Sequence, residues 1–289
     1  MHDFDNDGEL EIISTEFYSL ARFSPDGERE KDIVITSHLH SPIITDVNND
    51  GEYDIVISES TNAPEDNYVE ALVYNIELER IGQDIDGDGI IEDDELYIMD
   101  TSKTALTNFA PVITQLDSDI QKEFIFYSVK SGSFSYLNKQ TISAYNIDND
   151  EIISEEEEGG GGWPFNIRNV PYISAILAIK VNDEPYIIAP HKKFDEKWAV
   201  SIINSEGFLV DELILENDEI TLDTSTSHVL VPSIGDMDED GNYDIVISWF
   251  ANDIGGSIMS YKLEGATTEN TVLISPTFQN DRANTGFYP

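Results

Sequence analysis

One acidic loop followed directly by a β-rich run constrains this chain more than any other stretch, and it spans residues 46–57. Oxygen-bearing side chains occupy loop positions 1, 3, 5 and 9, and a glycine occupies position 6: Asp46, Asn48, Asp50, Asp54 and Gly51. Oxygen ligands at alternating positions converge on one point only where the backbone wraps around it, and glycine permits the sharp bend. Because calcium accepts many oxygens in loose geometry, the pattern predicts a calcium loop.

The same pattern, with the same apolar continuation, returns near both ends of the chain. The corresponding oxygen side chains are Asp3, Asp5, Asp7 and Glu11 in one copy and Asp236, Asp238, Asp240 and Asp244 in the other. A single acidic turn is commonly a solvated surface loop, but three copies with matching flanks favour metal binding. Glu11 stands where the other copies have aspartate, and its longer side chain alters the expected geometry of that loop.

A second kind of loop, at residues 84–95, matches the calcium loop of EF-hands. Its candidate ligands are Asp84, Asp86, Asp88 and Glu95. Because its flanks read as strands rather than helices, we interpret it as a calcium loop inserted between two strands. A weaker copy begins 62 residues later and offers Asn146, Asp148, Asp150 and Glu157. Glu151 replaces the glycine there, which disfavours metal binding.

Two further stretches hold the place of the acidic loop without its full pattern. At residues 115–123, Gln115 occupies position 1 and Ile120 occupies position 6, so we expect weak or no metal binding. At residues 175–183 the acidic side chains are nearly gone. We expect that repeat to depend on packing alone.

Short apolar runs headed by proline recur along the chain and define its period. These prolines stand at positions 42, 111, 171, 232 and 289, which are 69, 60, 61 and 57 residues apart. Each period reads as four strands separated by turn residues. The clearest examples are the second period, with runs at 43–45, 53–58, 69–76 and 96–100, and the last, with runs at 229–234, 243–250, 257–263 and 271–275.

Four-stranded units at this spacing bury their faces by stacking, radially as a β-propeller or linearly as a solenoid. We predict an all-β chain, a single β-propeller region of four-stranded antiparallel blades over residues 1–289. Its five repeats fall approximately at 1–41, 42–110, 111–170, 171–231 and 232–289. The chain starts at a metal loop and ends where another inner strand should begin, so we expect a segment of a larger propeller. A closed five-bladed ring is the alternative.

The acidic loops and the strands that follow them resemble the FG-GAP/VCBS repeats of integrin α-like β-propellers. The resemblance covers nearly the whole chain, although three of its five periods carry complete loops. It implies four-stranded blades, with several mainly structural calcium ions held in the turn between the first two strands. It also implies that a ligand binds on a face built from loops.

Charge and composition limit the partners. The chain has 15 Lys and Arg against 58 Asp and Glu, a formal net charge of −43, so nucleic acid and anionic membranes are excluded as partners. No apolar stretch approaches the ~20 residues of a membrane helix. There is no cysteine, so bound metal takes the place of disulfides. Such a surface repels itself unless salt screens it, which suggests a marine or halophilic source.

No catalytic motif stands out, because carboxylates are so abundant that any pair fits the description of a general acid and base. His38, His40 and His228 lie before inner strands and are interpreted as loop residues rather than metal ligands. The tryptophans at 163, 198 and 249 are candidates for sugar stacking or for packing. The basic cluster at 191–193 with Lys197 reads as an anion site or, more simply, as a solvated hairpin.

We therefore expect a non-catalytic, calcium-stabilised module of an extracellular or cell-surface protein that binds protein or glycan in adhesion. Any export signal would lie upstream, since the first residues lack the basic and apolar regions of a signal peptide. The alternative is the scaffold or substrate-binding domain of a calcium-dependent polysaccharide lyase or hydrolase. That alternative needs a basic, aromatic cleft, which the scarcity of Lys and Arg disfavours for acidic glycans.

Overall fold

All regular structure in the described part of the chain is β, as the sequence predicts. The computed structural model describes residues 8, 10–16, 18–35, 38–39, 42–60, 69–82, 98–100, 111–117, 119, 121–129, 140–146, 152, 162–167, 173–193, 197–215, 228–251 and 255–275. Within these ranges no helix is long and apolar enough to cross a membrane.

The first two sheets follow the order of the chain. The first consists of β1 (Ile12–Glu16), β2 (Ser19–Phe23) and β3 (Arg29–Val34). The second consists of β4 (His38–Leu39), β5 (Ile43–Thr45), β6 (Asp54–Ser60), β7 (Val69–Tyr74) and β8 (Ile98–Asp100), with β4 and β5 both paired to β6. All pairs in both sheets are antiparallel. The four strands predicted for the second period thus correspond to β5–β8.

The third sheet is also a simple antiparallel meander. Its strands are β9 (Val112–Thr114), β10 (Glu123–Val129), β11 (Gln140–Tyr145) and β12 (Phe165–Ile167). In both the second and third sheets, a short buried strand runs directly into an acidic loop. The loop then turns back into a seven-residue strand. The acidic loop is therefore the turn between two neighbouring antiparallel strands.

The last two sheets exchange strands, which the sequence does not predict. Their strands in chain order are β13 (Ile173–Ser174), β14 (Leu177–Val181), β15 (Glu184–Lys192), β16 (Trp198–Asn204), β17 (Leu209–Ile214), β18 (His228–Gly235), β19 (Asn242–Ala251), β20 (Gly255–Thr267) and β21 (Thr271–Ser275). The fourth sheet has the order β17-β16-β15-β14-β21, and the fifth has the order β13-β18-β19-β20. β13 pairs in parallel with β18, whereas the other pairs of these sheets are antiparallel.

The prediction that the last period forms its own four-stranded sheet is wrong, although the bounds of its final strand are right. β21 adds to β14 because the turn after β20 directs it there: the Asn182 N–H donates to the carbonyl of Asn270 at 2.8 Å. The side chain of Asn270 closes that turn by accepting from the Thr267 N–H at 2.8 Å. Leu273 of β21 then packs against an apolar cluster shared by the two sheets.

Among the described residues, four apolar clusters hold the sheets together, and each joins sheets that are neighbours in the chain. One cluster joins the first and second sheets, through Leu20 and Ile55. The next joins the second and third, through Val56 and Phe124. The other two clusters join the third sheet to the fourth and the fourth to the fifth. Stacking in sequence order is what a chain of repeated units requires to bury both faces of each sheet.

Candidate metal loops

The two complete acidic loops in the described residues have the same backbone conformation. Position 4 is left-handed in both, with φ of 59° at Asn49 and 60° at Glu239. The glycine at position 6 is also left-handed, with φ of 93° at Gly51 and 84° at Gly241. Gly8 has φ of 92°, so the first loop has the same conformation at its position 6. The angles at position 6 lie beyond the small left-handed region near 60° that position 4 occupies, and a residue with a Cβ atom is more strained there, which favours glycine.

Matching hydrogen bonds wrap each loop around the carboxylate at position 1. The Asp46 carboxylate accepts from the N–H of Asp50 at 3.1 Å and from the N–H of Gly51 at 3.0 Å. The Asp236 carboxylate accepts from the N–H groups at the equivalent two positions, also at 3.1 and 3.0 Å. Side chains and backbone thus curl around a common centre in both loops.

The carboxylate at position 9 closes each loop from the start of the second strand. Asp54 accepts from the Val47 N–H at 2.9 Å, and Asp244 accepts from the Met237 N–H at 3.2 Å. Asp54 is 3% exposed, and this burial raises its pKa to about 7, with Asp50 and Asp46 adding to the rise. A carboxylate held in so little water is stable in its charged form only beside a cation.

The donor set of the loop at 236–244 fits calcium. One carboxylate oxygen from each of Asp236, Asp238 and Asp240 lies within 4.8 Å of the others. Oxygens bound to one calcium ion at 2.3–2.6 Å lie at most about 5 Å apart, so these three can share an ion without rearrangement. Oxygen donors of this kind are those that calcium prefers. When bound, the ion would neutralise the carboxylates and lock the turn.

Two lysines outside the predicted set of site residues contact these loops. Lys262 of β20 forms an ion pair with Asp240, and its hydrogen bond lowers the pKa of Asp240 to about 2. Lys122 donates to the Thr45 hydroxyl at 2.7 Å beside the loop at 46–54. Burial lowers the pKa of Lys122, while the neighbouring Asp46 opposes that change. Lys262 lies opposite Asp244 in the register of β19 and β20. A sequence-based prediction of that register would have placed Lys262 beside the loop.

Removing the Lys262 ammonium is expected to strengthen calcium binding at residues 236–244. The ammonium holds a carboxylate oxygen that the ion would use, so Lys262→Met should lower the calcium Kd of this loop about two- to fivefold. A competition titration with a chromophoric chelator measures the change. The control is Lys31→Met, which removes a lysine of the first sheet that forms an ion pair with Glu77. An effect of Lys262→Met that persists in the Asp236→Asn background would contradict this explanation.

Most of the other predicted ligands fall outside the described residues. In the first loop these are Asp3, Asp5 and Asp7, whereas Glu11 is described and is 8% exposed, buried like Asp54. The EF-hand-like ligands outside are Asp84, Asp86, Asp88, Glu95, Asp148, Asp150 and Glu157. Asn146 is described, and its Oδ1 is buried without a hydrogen-bond partner among the described residues. The metal-binding assignments of these loops stay predictions.

The incomplete loop at 115–123 keeps part of the same architecture. The Leu116 N–H donates to the Glu123 carboxylate, as position 2 donates to position 9 in the complete loops. Gln115 at position 1 instead turns its amide towards Asp119, donating to the carbonyl oxygen at 2.8 Å. One carboxylate oxygen from each of Asp117, Asp119 and Glu123 lies within 4.8 Å of the others. The loss of the first aspartate has therefore left three carboxylates together.

The basic cluster is placed differently from the sequence-based interpretation, and two of the tryptophans follow the packing alternative. His191 and Lys192 are 3% and 4% exposed, so they do not form a solvated hairpin. The His191 Nε2 lies 2.8 Å from the Ser201 hydroxyl, and burial lowers the pKa of His191. Trp163 and Trp198 are 2% and 5% exposed, which makes both core residues rather than sugar-stacking platforms.

A cavity of about 400 Å³ lies between the fourth and fifth sheets, near the loop at 236–244. It is lined by apolar residues of the shared core and by polar side chains that include Tyr186, Asp211 and Glu264. Lys262 lines the cavity and also contacts Asp240 of the loop. The cavity and the loop are therefore connected through one side chain.

The chain resembles known proteins in structure but not detectably in sequence. No protein-family profile matches the sequence, and no curated protein matches it. The chain is similar to BBS1N in two crystal structures of its complex with ARL6DN, one soaked with mercury and one with lead. The sequence identity is 9%, and the TM-scores are 0.45 and 0.44. The similarity covers 91% of this chain and 67% of BBS1N. The chain is also similar to the V. cholerae biofilm matrix protein Bap1 at 15% identity and a TM-score of 0.32, over 94% of this chain and 49% of Bap1. Likenesses at this level do not assign a function.

Proposed function

We propose that this chain is a non-catalytic, calcium-stabilised propeller module of an exported surface protein, serving in adhesion by binding protein or glycan. The observation that carries the proposal is the pair of matching loops at 46–54 and 236–244. Both wrap their backbone N–H groups around the first aspartate, and in the loop at 236–244 Asp236, Asp238 and Asp240 each bring a carboxylate oxygen within 4.8 Å of the others. Calcium in these turns would fix the connection between the first two strands of a blade and supply folding free energy.

The propeller arrangement is part of the proposal. It is supported by sheets that follow each other in the chain and by apolar clusters that join successive sheets. We propose that the repeats belong to the FG-GAP/VCBS type and that the chain forms a segment of a larger ring. The high negative charge supports a role in salt-rich surroundings outside the cell, where screening shortens the reach of carboxylate repulsion.

Chelation tests the calcium requirement directly. Removing calcium should lower the melting temperature by about 10 °C or more, because two sites filled at about a hundred times their Kd contribute about 5 kcal/mol together. Calcium should restore the melting temperature and magnesium should not, since magnesium demands smaller, octahedral geometry. Asp46→Ala and Asp236→Ala should each reduce the response measured by calorimetry. A melting temperature unaffected by chelator would refute the proposal.

Binding and catalysis are separated by a second pair of assays. A glycan-binding array and a screen of polysaccharides for chain cleavage, both run with calcium present, test the same full-length chain. We expect binding without cleavage. Cleavage abolished by chelator would favour the lyase or hydrolase scaffold instead.

A further inference from the structure

The incomplete loop at 115–123 presents three carboxylates to one point, although its sequence predicts weak or no metal binding. Asp117 and Asp119 are exposed at loop positions 3 and 5, and Glu123 at position 9 is fully buried. One oxygen from each lies within 4.8 Å of the other two, the same limit that holds for Asp236, Asp238 and Asp240. The separation fits oxygens that share one calcium ion.

Glu123 supplies an independent sign that a ligand belongs here. Its side chain is 0% exposed, and its Oε2 accepts a hydrogen bond from the Leu116 N–H. Its Oε1 is buried and has no hydrogen-bond partner in the described part of the chain. A buried carboxylate oxygen without a partner carries a large desolvation cost, and an ion bound at that oxygen removes it. The same carboxylate belongs to the three-residue cluster.

The three carboxylates also have no counter-ion from the protein within the described residues. In the loop at 236–244, Lys262 forms an ion pair with Asp240. At the loop at 46–54, Lys122 approaches closely enough to influence Asp46 and Asp54. No described lysine, arginine or histidine forms an ion pair with the cluster at 117–123. Among the described residues, the protein therefore supplies no ion-pair partner to these carboxylates, and a bound cation would.

The incomplete loop has as many carboxylates at its four oxygen positions as the loop at 46–54. The loop at 46–54 has three carboxylates at its oxygen positions, because Asn48 occupies position 3. The incomplete loop has lost the aspartate at position 1 but has Asp117 where the other has asparagine. A longer glutamate at position 9 extends further into the loop than an aspartate does. The carboxylate of Asp117 and the longer side chain of Glu123 together compensate for glutamine in place of aspartate at position 1.

We propose that Asp117, Asp119 and Glu123 bind a divalent cation, calcium by the chemistry of their oxygen donors, and that this site belongs to the third sheet. The Gln115 side-chain oxygen is available as a further neutral ligand if its amide turns towards the centre. The site does not depend on an adhesive role or on the glycine-bearing loops. It ties the β9–β10 turn, for which the sequence pattern predicts weak or no metal binding.

Calcium stoichiometry of the full-length chain tests the assignment. Protein stripped with chelator is dialysed against radioactive calcium, and bound ions per chain are counted. Glu123→Gln, which keeps the shape of the side chain, and Asp117→Asn, which changes an exposed residue, should each lose one bound calcium relative to wild type. Glu184→Gln and Asp183→Asn, at exposed positions of the β14–β15 hairpin, are the matched controls and should lose none.

Thermal unfolding of the same variants separates metal loss from misfolding. In calcium, Glu123→Gln should melt below wild type, because it removes a ligand of the ion. In chelator it should melt at or above wild type, because the carboxylate that it replaces is buried and has lost the ion. Wild-type stoichiometry in both Glu123→Gln and Asp117→Asn would overturn the assignment. The proposed function would then still stand if Asp46→Asn and Asp236→Asn each lose a calcium ion.

Discussion

Replacing Asp54 with asparagine is expected to stabilise the calcium-free protein and to destabilise the calcium-bound one. The Asp54 side chain is 3% exposed, and burial raises its pKa to about 7. Without an ion, the charged carboxylate is held away from water and close to Asp50 and Asp46, which disfavours the folded state. Asparagine removes that charge and keeps an oxygen able to accept from the Val47 N–H. With calcium bound, the same substitution removes a charged ligand.

The pH dependence fixes the sign of the calcium-free effect. The pKa of Asp54 lies above the ordinary value of 3.8, so the folded protein binds more protons than the unfolded chain between about pH 4 and 7. The free energy of unfolding of the calcium-free wild type therefore falls as pH rises through that window. By pH 8 the difference between wild type and Asp54→Asn should reach up to about 4 kcal/mol in favour of the variant.

Urea unfolding at pH 5 and pH 8, with chelator and with calcium, measures both signs. At pH 5 without calcium the difference should be well below half of that at pH 8, since Asp54 is then protonated in the folded state and already ionised in the unfolded chain. Burial also raises the pKa of Glu123, to about 8, so the comparison must be the difference between variant and wild type. Glu184→Gln, an exposed change in the β14–β15 hairpin, is the control. A variant less stable than wild type in chelator at pH 8 would contradict the burial argument.

Local pattern was enough to predict the strands and the loop conformation. The final strand was placed at 271–275, where β21 lies, because alternation and turn residues are properties of short segments. The loops were equally accessible, since a glycine at position 6 permits the left-handed backbone that the sharp bend requires. The predicted all-β class is confirmed for the same reason, as each repeat carries its own β signal.

Contacts between distant segments were not accessible from pattern. Lys122 reaches Thr45 from 77 residues away, and β21 pairs with β14 instead of extending its own sheet. Both depend on how sheets stack, which no short segment determines. The carboxylate cluster at 117–123 was not predicted for another reason. The residue types at positions 1 and 6 disfavour metal binding, and the burial of Glu123 is visible only in the folded chain. Position-by-position matching cannot weigh a compensating charge elsewhere in a loop.

Replacing Gly207 with alanine is expected to be strongly destabilising, because it combines two separate costs. Gly207 lies in the β16–β17 turn with φ of 85°, where a Cβ atom is strained. A Cβ there would also lie 2.4 Å from the Trp163 backbone nitrogen and 2.6 Å from the Gly162 carbonyl carbon. Backbone atoms cannot rotate away as a flexible side chain does, so the two segments must separate.

That separation would open the junction between the third and fourth sheets. The Gly162 N–H donates to the Gly207 carbonyl at 3.2 Å, and the Trp163 indole donates to the Ser205 carbonyl at 2.7 Å. Trp163 is 2% exposed and packs in the apolar cluster that joins these two sheets. Displacing it forfeits both hydrogen bonds and part of that core. We expect a loss of about 3–5 kcal/mol from strain, overpacking and lost burial together.

Gly27→Ala separates backbone strain from the clash. Gly27 has φ of 86°, almost the same angle, but a Cβ atom there has nothing within 4 Å. It should therefore cost about 1–2 kcal/mol, the strain alone. Urea unfolding of both variants in saturating calcium measures the difference, which we expect to exceed about 2 kcal/mol because the junction bears the rest. Equal losses in the two variants would mean that the 162–163 segment can move without cost, and that the sheets are held by their apolar faces alone.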